Sequence, residues 1–363
     1  MKIEWAVPDI GETEKKAVAG LFDINWLSQG PKVKEFETKM SEFFQRKYAL
    51  AVNNGTAALD IALKLLDIKQ GDEVILPAMS YIATGSMVLN RGAKPVFADI
   101  DRERFTISVD SVINAITEKT KILLTMDYGG NPCDYDELEE ICKKKNIFLL
   151  VDAAQSLGGI YKNKPLGSFG GMATMSFHSA KVMTTVEGGM IMTDNPDYAE
   201  KIRILRNQGE DTKVKYRHIM VGFNARMTDM QAAIGLEQYK KLKSYIEKRA
   251  KIADYFIKEF SKSEKIKTIK IHPGGKMAFF LFPILVENRD EINKEINSAG
   301  IDTRLCYHYP MYKHPAFEKY ADNYCPNAEW VSDRVINLPI HNCLSDTEIE
   351  YICDKVVGII ENN

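Results

Sequence analysis

The sequence predicts an α/β protein built on a largely parallel, doubly wound sheet, followed by a smaller second unit. Three observations carry this. From about residue 45, short apolar or β-branched runs alternate with helical patterns, as they do where helices cover both faces of a parallel sheet. Those runs hold four to six apolar residues with no polar alternation, as in strands buried on both faces. The alternation then stops near residue 226, where a long helix begins.

In order, the strands are "YALAVN" (48–53), "EVILP" (73–77), "KPVFAD" (94–99), "KILLTM" (121–126), "IFLLVD" (147–152), "ATMSFH" (173–178) and "GMIMTD" (189–194). Helices are expected from Thr56 to Leu66, from Tyr81 to Asn90, and over 108–117, 134–145 and 197–206. "MTDMQAAIGLEQYKKLKSYIEKR" (227–249) reads as one helix, apolar first and charged later, with Thr228 as its N-cap. Such a helix suits a connector between domains. A strand over 277–286, a helix over 289–299 and a closing helix over 346–361 complete the reading. The boundary is set at 240, giving a large domain over 1–240 and a small one over 241–363, with the first residues folded against either part.

The bulk numbers exclude several functions. Hydrophobic residues make up 45% of the 363-residue chain, charged residues 27%, and net charge is −2. No basic excess points to nucleic acid. No apolar run approaches the ~18 residues of a spanning helix, and the N-terminus lacks a signal-peptide pattern. The six cysteines (Cys133, Cys142, Cys306, Cys325, Cys343, Cys353) form no CxxC pair. They read as reduced thiols, and the expected location is cytoplasmic.

Three strand exits bear chemistry. "NNGTAAL" (53–59) opens a helix at a glycine, where free amides and the helix dipole suit a phosphate; an ordinary βα turn would read the same. Neither a P-loop nor a GxGxxG fingerprint is present, which disfavours a nicotinamide oxidoreductase. Asp152 ends a strand, where open α/β sheets bind ligands, although a turn aspartate is common there. Gln155 follows one helical turn on. Lys181 follows the strand 173–178 and precedes a glycine pair. Most lysines are surface residues, yet a desolvated one becomes a nucleophile toward aldehydes. A phosphate cradle, a carboxylate and an amine are what pyridoxal phosphate needs: a phosphate to hold, a ring nitrogen best kept protonated, and an aldehyde that condenses with an amine. Tyr81 is the candidate ring to stack on it.

These motifs, with "WLSQGPKVKEFE" (26–37), "GDEVILPAMSYIAT" (71–84), "VDAAQSLGG" (151–159), "GSFGGMATMSFHSAKVMTTVEGG" (167–189), "GFNARMTDMQAAIGLEQYKKL" (222–242) and "INLPIHNCLSDTEIEYI" (336–352), span nearly the whole chain in one order. The sequence resembles the DegT/DnrJ/EryC1/StrS family of sugar aminotransferases. The resemblance implies the type I fold of pyridoxal-phosphate-dependent transferases, with a mostly parallel seven-stranded sheet and a smaller C-terminal α+β domain. By position it makes Lys181 the lysine that bonds the cofactor, Asp152 the partner of the pyridine nitrogen, and Gln155 a neighbour of the ring hydroxyl. Ser176, with the helix start at Gly55, Thr56 and Ala57, would hold the phosphate, and Tyr81 would stack on the ring. Asn224 would reach the phosphate in a neighbouring subunit, which implies a homodimer with shared sites. His178, Arg226, His308 and Tyr309 would face the sugar nucleotide.

Within the family the chain looks most like perosamine synthases and other enzymes that aminate C4 of a nucleotide-linked 4-keto-6-deoxyhexose, with L-glutamate as donor, in polysaccharide or O-antigen synthesis. Two departures bear on the sugar: Asp127 stands where the family usually has histidine, and "TRLCYHYPMYKHP" (303–315) is not a clean copy of the usual substrate segment. His308 and His314 are six apart, a poor metal spacing, and no metal is expected. Two alternatives remain, the first inside the family and the second from another class. One is a 3-dehydratase using pyridoxamine phosphate, in which histidine would replace Lys181. The other is a non-catalytic regulator.

Overall fold

The computed structural model describes residues 1–322 and 324–363. Among the described residues, thirteen strands and eleven α-helices follow one another. The N-terminal helices α1 (Glu12–Ile24) and α2 (Pro31–Phe43) precede β1 (Tyr48–Val52), α3 (Gly55–Leu65), β2 (Glu73–Pro77), α4 (Ile82–Asn90), β3 (Lys94–Ala98), α5 (Val109–Ala115), β4 (Thr120–Met126), α6 (Tyr135–Lys145) and β5 (Phe148–Asp152). Two short strands, β6 (Ile160–Tyr161) and β7 (Lys164–Pro165), lead to β8 (Met172–Ser176), β9 (Gly189–Thr193), α7 (Pro196–Arg206) and the long α8 (Asp229–Phe260). The remainder comprises β10 (Lys267–Thr268), β11 (Gly275–Lys276), β12 (Phe282–Leu285), α9 (Arg289–Ser298), α10 (Pro326–Ser332), β13 (Val335–Leu338) and α11 (Asp346–Asn362).

Seven strands form the main sheet in the order β1-β9-β8-β5-β4-β2-β3. All neighbours run parallel except β9, which is antiparallel to both β1 and β8. The carboxyl ends of the other six strands therefore share one edge with Gly189, the first residue of β9. β2 and β9 are buried along their whole length, and β5 and β8 over four of five residues, as the unbroken apolar runs require. A second sheet, β10-β12-β13, is wholly antiparallel.

Helix α8 begins where expected, with a capping box between Thr228 and Gln231. It continues 11 residues past 249, because Ile252, Ala253, Phe256 and Phe260 keep an apolar face buried to its end. Residue 240 thus lies inside a helix. The strand expected over 277–286 is shorter: only Phe282–Leu285 pairs in the sheet. Ahead of it, Ala278 and Phe280 donate their amides to Gly130 and Gly129 instead. Gly130 must lack a side chain here, since a Cβ would lie 2.3 Å from that of Ala278.

The sequence predicts no element before residue 48 and has the first residues folded against either part; in the structure α1 and α2 pack on α8. Two buried carboxylates hold them. Asp229, fully buried, accepts from the Gly30, Lys32 and Val33 amides (2.9, 3.2 and 2.9 Å) and so caps α2 from a distant segment. Glu14, 1% exposed, meets Lys241 at 2.7 Å, Gln238 at 2.8 Å and the Gly11 amide at 2.9 Å. Burial alone would raise its pKa; these partners more than offset that and hold it near 2, below the ordinary 4.5. The native state thus binds this proton less tightly than the unfolded chain. Its contribution to stability is complete above pH 4.5 and drains away as pH falls toward 2. Glu14→Ala is expected to cost about 3 kcal/mol at neutral pH in denaturant titration, the low end for a broken buried pair because Lys241 can turn to solvent. The difference from wild type should shrink on acidification.

Candidate active site

Asp152 closes β5 at the sheet edge and is 4% exposed. Its Oδ2 accepts from Thr84 Oγ1 at 2.9 Å and its Oδ1 from the Ala154 amide at 3.1 Å. Thr84 is itself 2.9 Å from the Ser80 hydroxyl, which ties the β2–α4 turn to this carboxylate. Burial raises the Asp152 pKa, and Thr84, Ala154 and the charge of Lys181 oppose the rise.

Lys181 lies in the loop between β8 and β9, its amide bonded to the His178 carbonyl at 2.9 Å. Burial lowers its pKa from 10.5 to about 8, partly offset by the charge of Asp152 and by the Cys306 thiol. The amine and the carboxylate are therefore electrostatic neighbours, as expected from their places at adjacent strand ends.

Across β9, α3 points its N-terminus at the same edge. Asn54 caps it by accepting from the Ala57 amide at 2.8 Å. Of the three amides named from the sequence, Ala57 is thus already engaged, which leaves Gly55 and Thr56 for an anion. Ser176 ends β8 directly beside them: a Cβ on Gly55 would stand 2.9 Å from the Ser176 Cβ and 3.3 Å from its hydroxyl. Only glycine lets this hydroxyl sit against a helix N-terminus. The result is a cradle of backbone amides and one hydroxyl, suited to a phosphate. Gly55→Ala is expected to weaken pyridoxal-phosphate binding about tenfold or more by equilibrium titration, and to destabilise the unloaded protein by about 1 kcal/mol as the Ser176 side chain is displaced.

Gln155, buried, accepts from the Gly129 amide at 2.7 Å and donates to the Tyr307 hydroxyl at 2.8 Å. Tyr81 is the residue before α4 rather than its first residue, and its side chain is 59% exposed at this edge. Arg226 bridges to Val52 at the end of β1 and donates to Asn207 at 2.7 Å, while Asn224 bridges to Asn207 and is exposed. His178 is exposed, 3.9 Å from Glu187. His308 and Tyr309 are exposed with ring centroids 4.2 Å apart.

Three contributors were not named from the sequence as site residues: Thr84, Tyr307 and Cys306. Thr84 lies one turn into α4 and had no signal beyond its position. Tyr307 was passed over for its neighbours, although it is the one that meets Gln155. Asp127, singled out as a departure, has no exposed surface. It accepts from Tyr135 at 2.7 Å, Ser156 at 2.7 Å and the Cys133 amide at 3.2 Å, so it braces the β4 exit rather than facing a ligand.

A depressed lysine beside a buried carboxylate, with an anion cradle on the same edge of a doubly wound sheet, suits the binding of pyridoxal phosphate. Residues 8–357 match the DegT/DnrJ/EryC1/StrS aminotransferase family, and the chain belongs to it. It is 34% identical to GDP-perosamine synthase of Escherichia coli O157:H7, over 96% of each chain. It is 30% identical to dTDP-4-dehydro-2,3,6-trideoxy-D-glucose 4-aminotransferase of Saccharopolyspora spinosa, over 98% of this chain and 96% of that one. Its fold superposes on the putative sugar aminotransferase Spr1654 of Streptococcus pneumoniae in its PLP form with a TM-score of 0.95, at 31% identity over 100% of this chain and 99% of the other.

Proposed function

We propose that this chain is a pyridoxal-phosphate-dependent aminotransferase that converts a nucleotide-linked 4-keto-6-deoxyhexose to the 4-amino sugar with L-glutamate as donor. The observation that carries the reading is the electrostatic pairing of a half-buried Lys181 with a buried Asp152 beside the Gly55–Ser176 cradle. The relatives named for 4-amination and for perosamine synthesis support the choice of substrate.

The residues fit the cofactor: Gly55, Thr56 and Ser176 would hold its phosphate, Tyr81 its ring face, Gln155 its hydroxyl and Asp152 its ring nitrogen. When bound, the cofactor supplies an aldehyde and a protonated heterocycle able to take up an electron pair. Lys181 Nζ is the base. With its pKa near 8 it is partly unprotonated at neutral pH, so it can take the proton from the donor's α-carbon and later return one. Asp152, held by Thr84 and Ala154, keeps a negative charge where positive charge must persist. His178, Arg226, His308 and Tyr309 line the approach for the sugar nucleotide. Asn224 would complete the phosphate site of a second copy, in a homodimer.

The test is a panel of GDP-, UDP- and dTDP-linked 3-keto and 4-keto sugars, each with glutamate, followed by product identification. The reading predicts a 4-amino-6-deoxyhexose and 2-oxoglutarate in equal amounts. Amination at C3 alone would overturn it.

A further inference from the structure

Lys181 has one neighbour, besides Asp152, that the catalytic scheme does not use. Among the described residues its amine forms no hydrogen bond and no ion pair, yet it is half-buried. A charged amine taken from water without a partner is costly. What its nitrogen meets is the face of Phe280, 4.2 Å from the ring centroid. An ammonium over an aromatic face is attracted by the ring quadrupole, more so where water is scarce.

Two contacts hold the ring. Its backbone amide donates to Gly129 at 3.0 Å, and the Gly129 amide in turn donates to Gln155 at 2.7 Å. Trp5 packs edge-on against it, with centroids 6.3 Å apart and planes at 83°. Trp5 is fixed in turn by its amide on Asp302 at 3.3 Å and by the Arg304 guanidinium 5.6 Å from its ring. Phe280 is 8% exposed. It sits in the stretch that the sequence reading took for plain strand core, and the catalytic scheme above gives it no role.

We propose that Phe280 is a positioning residue for Lys181: its ring face receives the ammonium whenever the amine is free, and so sets both where that amine waits and how tightly it keeps its proton. The charged and titratable groups that act on Lys181 are Asp152 from β5 and Cys306 from the segment before Tyr307, both favouring the ammonium. Arg304 stands beyond Trp5 and is paired with Asp302. The ring adds to the attraction of Asp152 and works against burial. The consequence for transamination rests on the functional reading above; the contact itself does not.

The experiment uses the full chain freed of cofactor, with its lysines carrying 13C-methyl labels by reductive methylation. The Lys181 resonance is assigned with Lys181→Arg and followed against pH. Phe280→Leu keeps the bulk and removes the quadrupole. It should lower the Lys181 midpoint by about half a unit to one unit. Phe280→Tyr should leave the midpoint within about 0.2 units of wild type, because the ring face remains. A graded series with mono-, di- and pentafluorophenylalanine at 280 drains the quadrupole at nearly constant size, so it stands even where the leucine variant packs poorly. The midpoint should fall step by step along the series, and in parallel samples left unmethylated the pH at which added pyridoxal phosphate is recaptured should fall with it. A midpoint that stays constant across the fluorinated series overturns the proposal, as does an equal shift in the tyrosine and leucine variants. If Lys181 were not the cofactor's lysine, the recapture band would persist in Lys181→Arg, while the resonance would still report on the ring.

Discussion

Lys181→Ala is expected to reduce turnover with glutamate and keto sugar by about 10³-fold or more, because one amine both bonds the cofactor and moves the proton. The fold should persist, since Lys181 is a loop residue anchored through its own backbone. The variant should still bind pyridoxamine phosphate through the Gly55–Ser176 cradle, and that binding is what separates a lost base from a lost site. The measurements are a steady-state assay and a calorimetric titration with pyridoxamine phosphate. Near-normal transamination by this variant would remove the base from the scheme.

Asp152→Asn is the second large effect. The amide keeps the shape and can still accept from Thr84 or from Ala154, so little stability should be lost. The negative charge disappears, and kcat is expected to fall about 10²- to 10³-fold, as when a preorganised charge or donor is removed from an active site. A second readout fixes the cause. Asp152 favours the protonated form of Lys181, whose pKa stands near 8. Losing that attraction must lower it, so in the unloaded protein Lys181 should titrate below its wild-type midpoint. A drop in kcat with no movement of that midpoint would mean that the two groups do not sense each other.

Much of this site was legible because its chemistry sits where regular structure ends. Asp152, Ser176 and Gly55 each stand at a strand exit, and strand exits can be read from buried runs of four to six residues. Lys181 was legible for the same reason, with the glycines of the next strand marking its loop. What was hidden depended on partners far away in sequence. Asp229 caps α2 across 199 residues, so nothing local in "QGPKVKEFE" could announce that helix start. Thr84 is an ordinary helical threonine until Asp152 is brought to it. Phe280 reads as one more apolar residue in an apolar run, and only the docking of 277–281 on Gly129 and Gly130 turns its ring toward the amine. The extent of α8 was underread because its second half is charged on the outside, while four apolar residues at helical spacing face inward. Asp127 was visible only as a departure from the resemblance; its bracing role, with Tyr135, Ser156 and Cys133 on its oxygens, depends on the fold.

The central claim is that one side-chain amine in the loop after β8 carries the cofactor. Holoenzyme loaded with pyridoxal phosphate, reduced with borohydride and digested, reports this directly by peptide mass. The account predicts the pyridoxyl mass on Lys181 and on no other lysine at comparable yield. A pyridoxyl group found on a different lysine, or an unlabelled Lys181 peptide in a protein that has bound the cofactor, would contradict it.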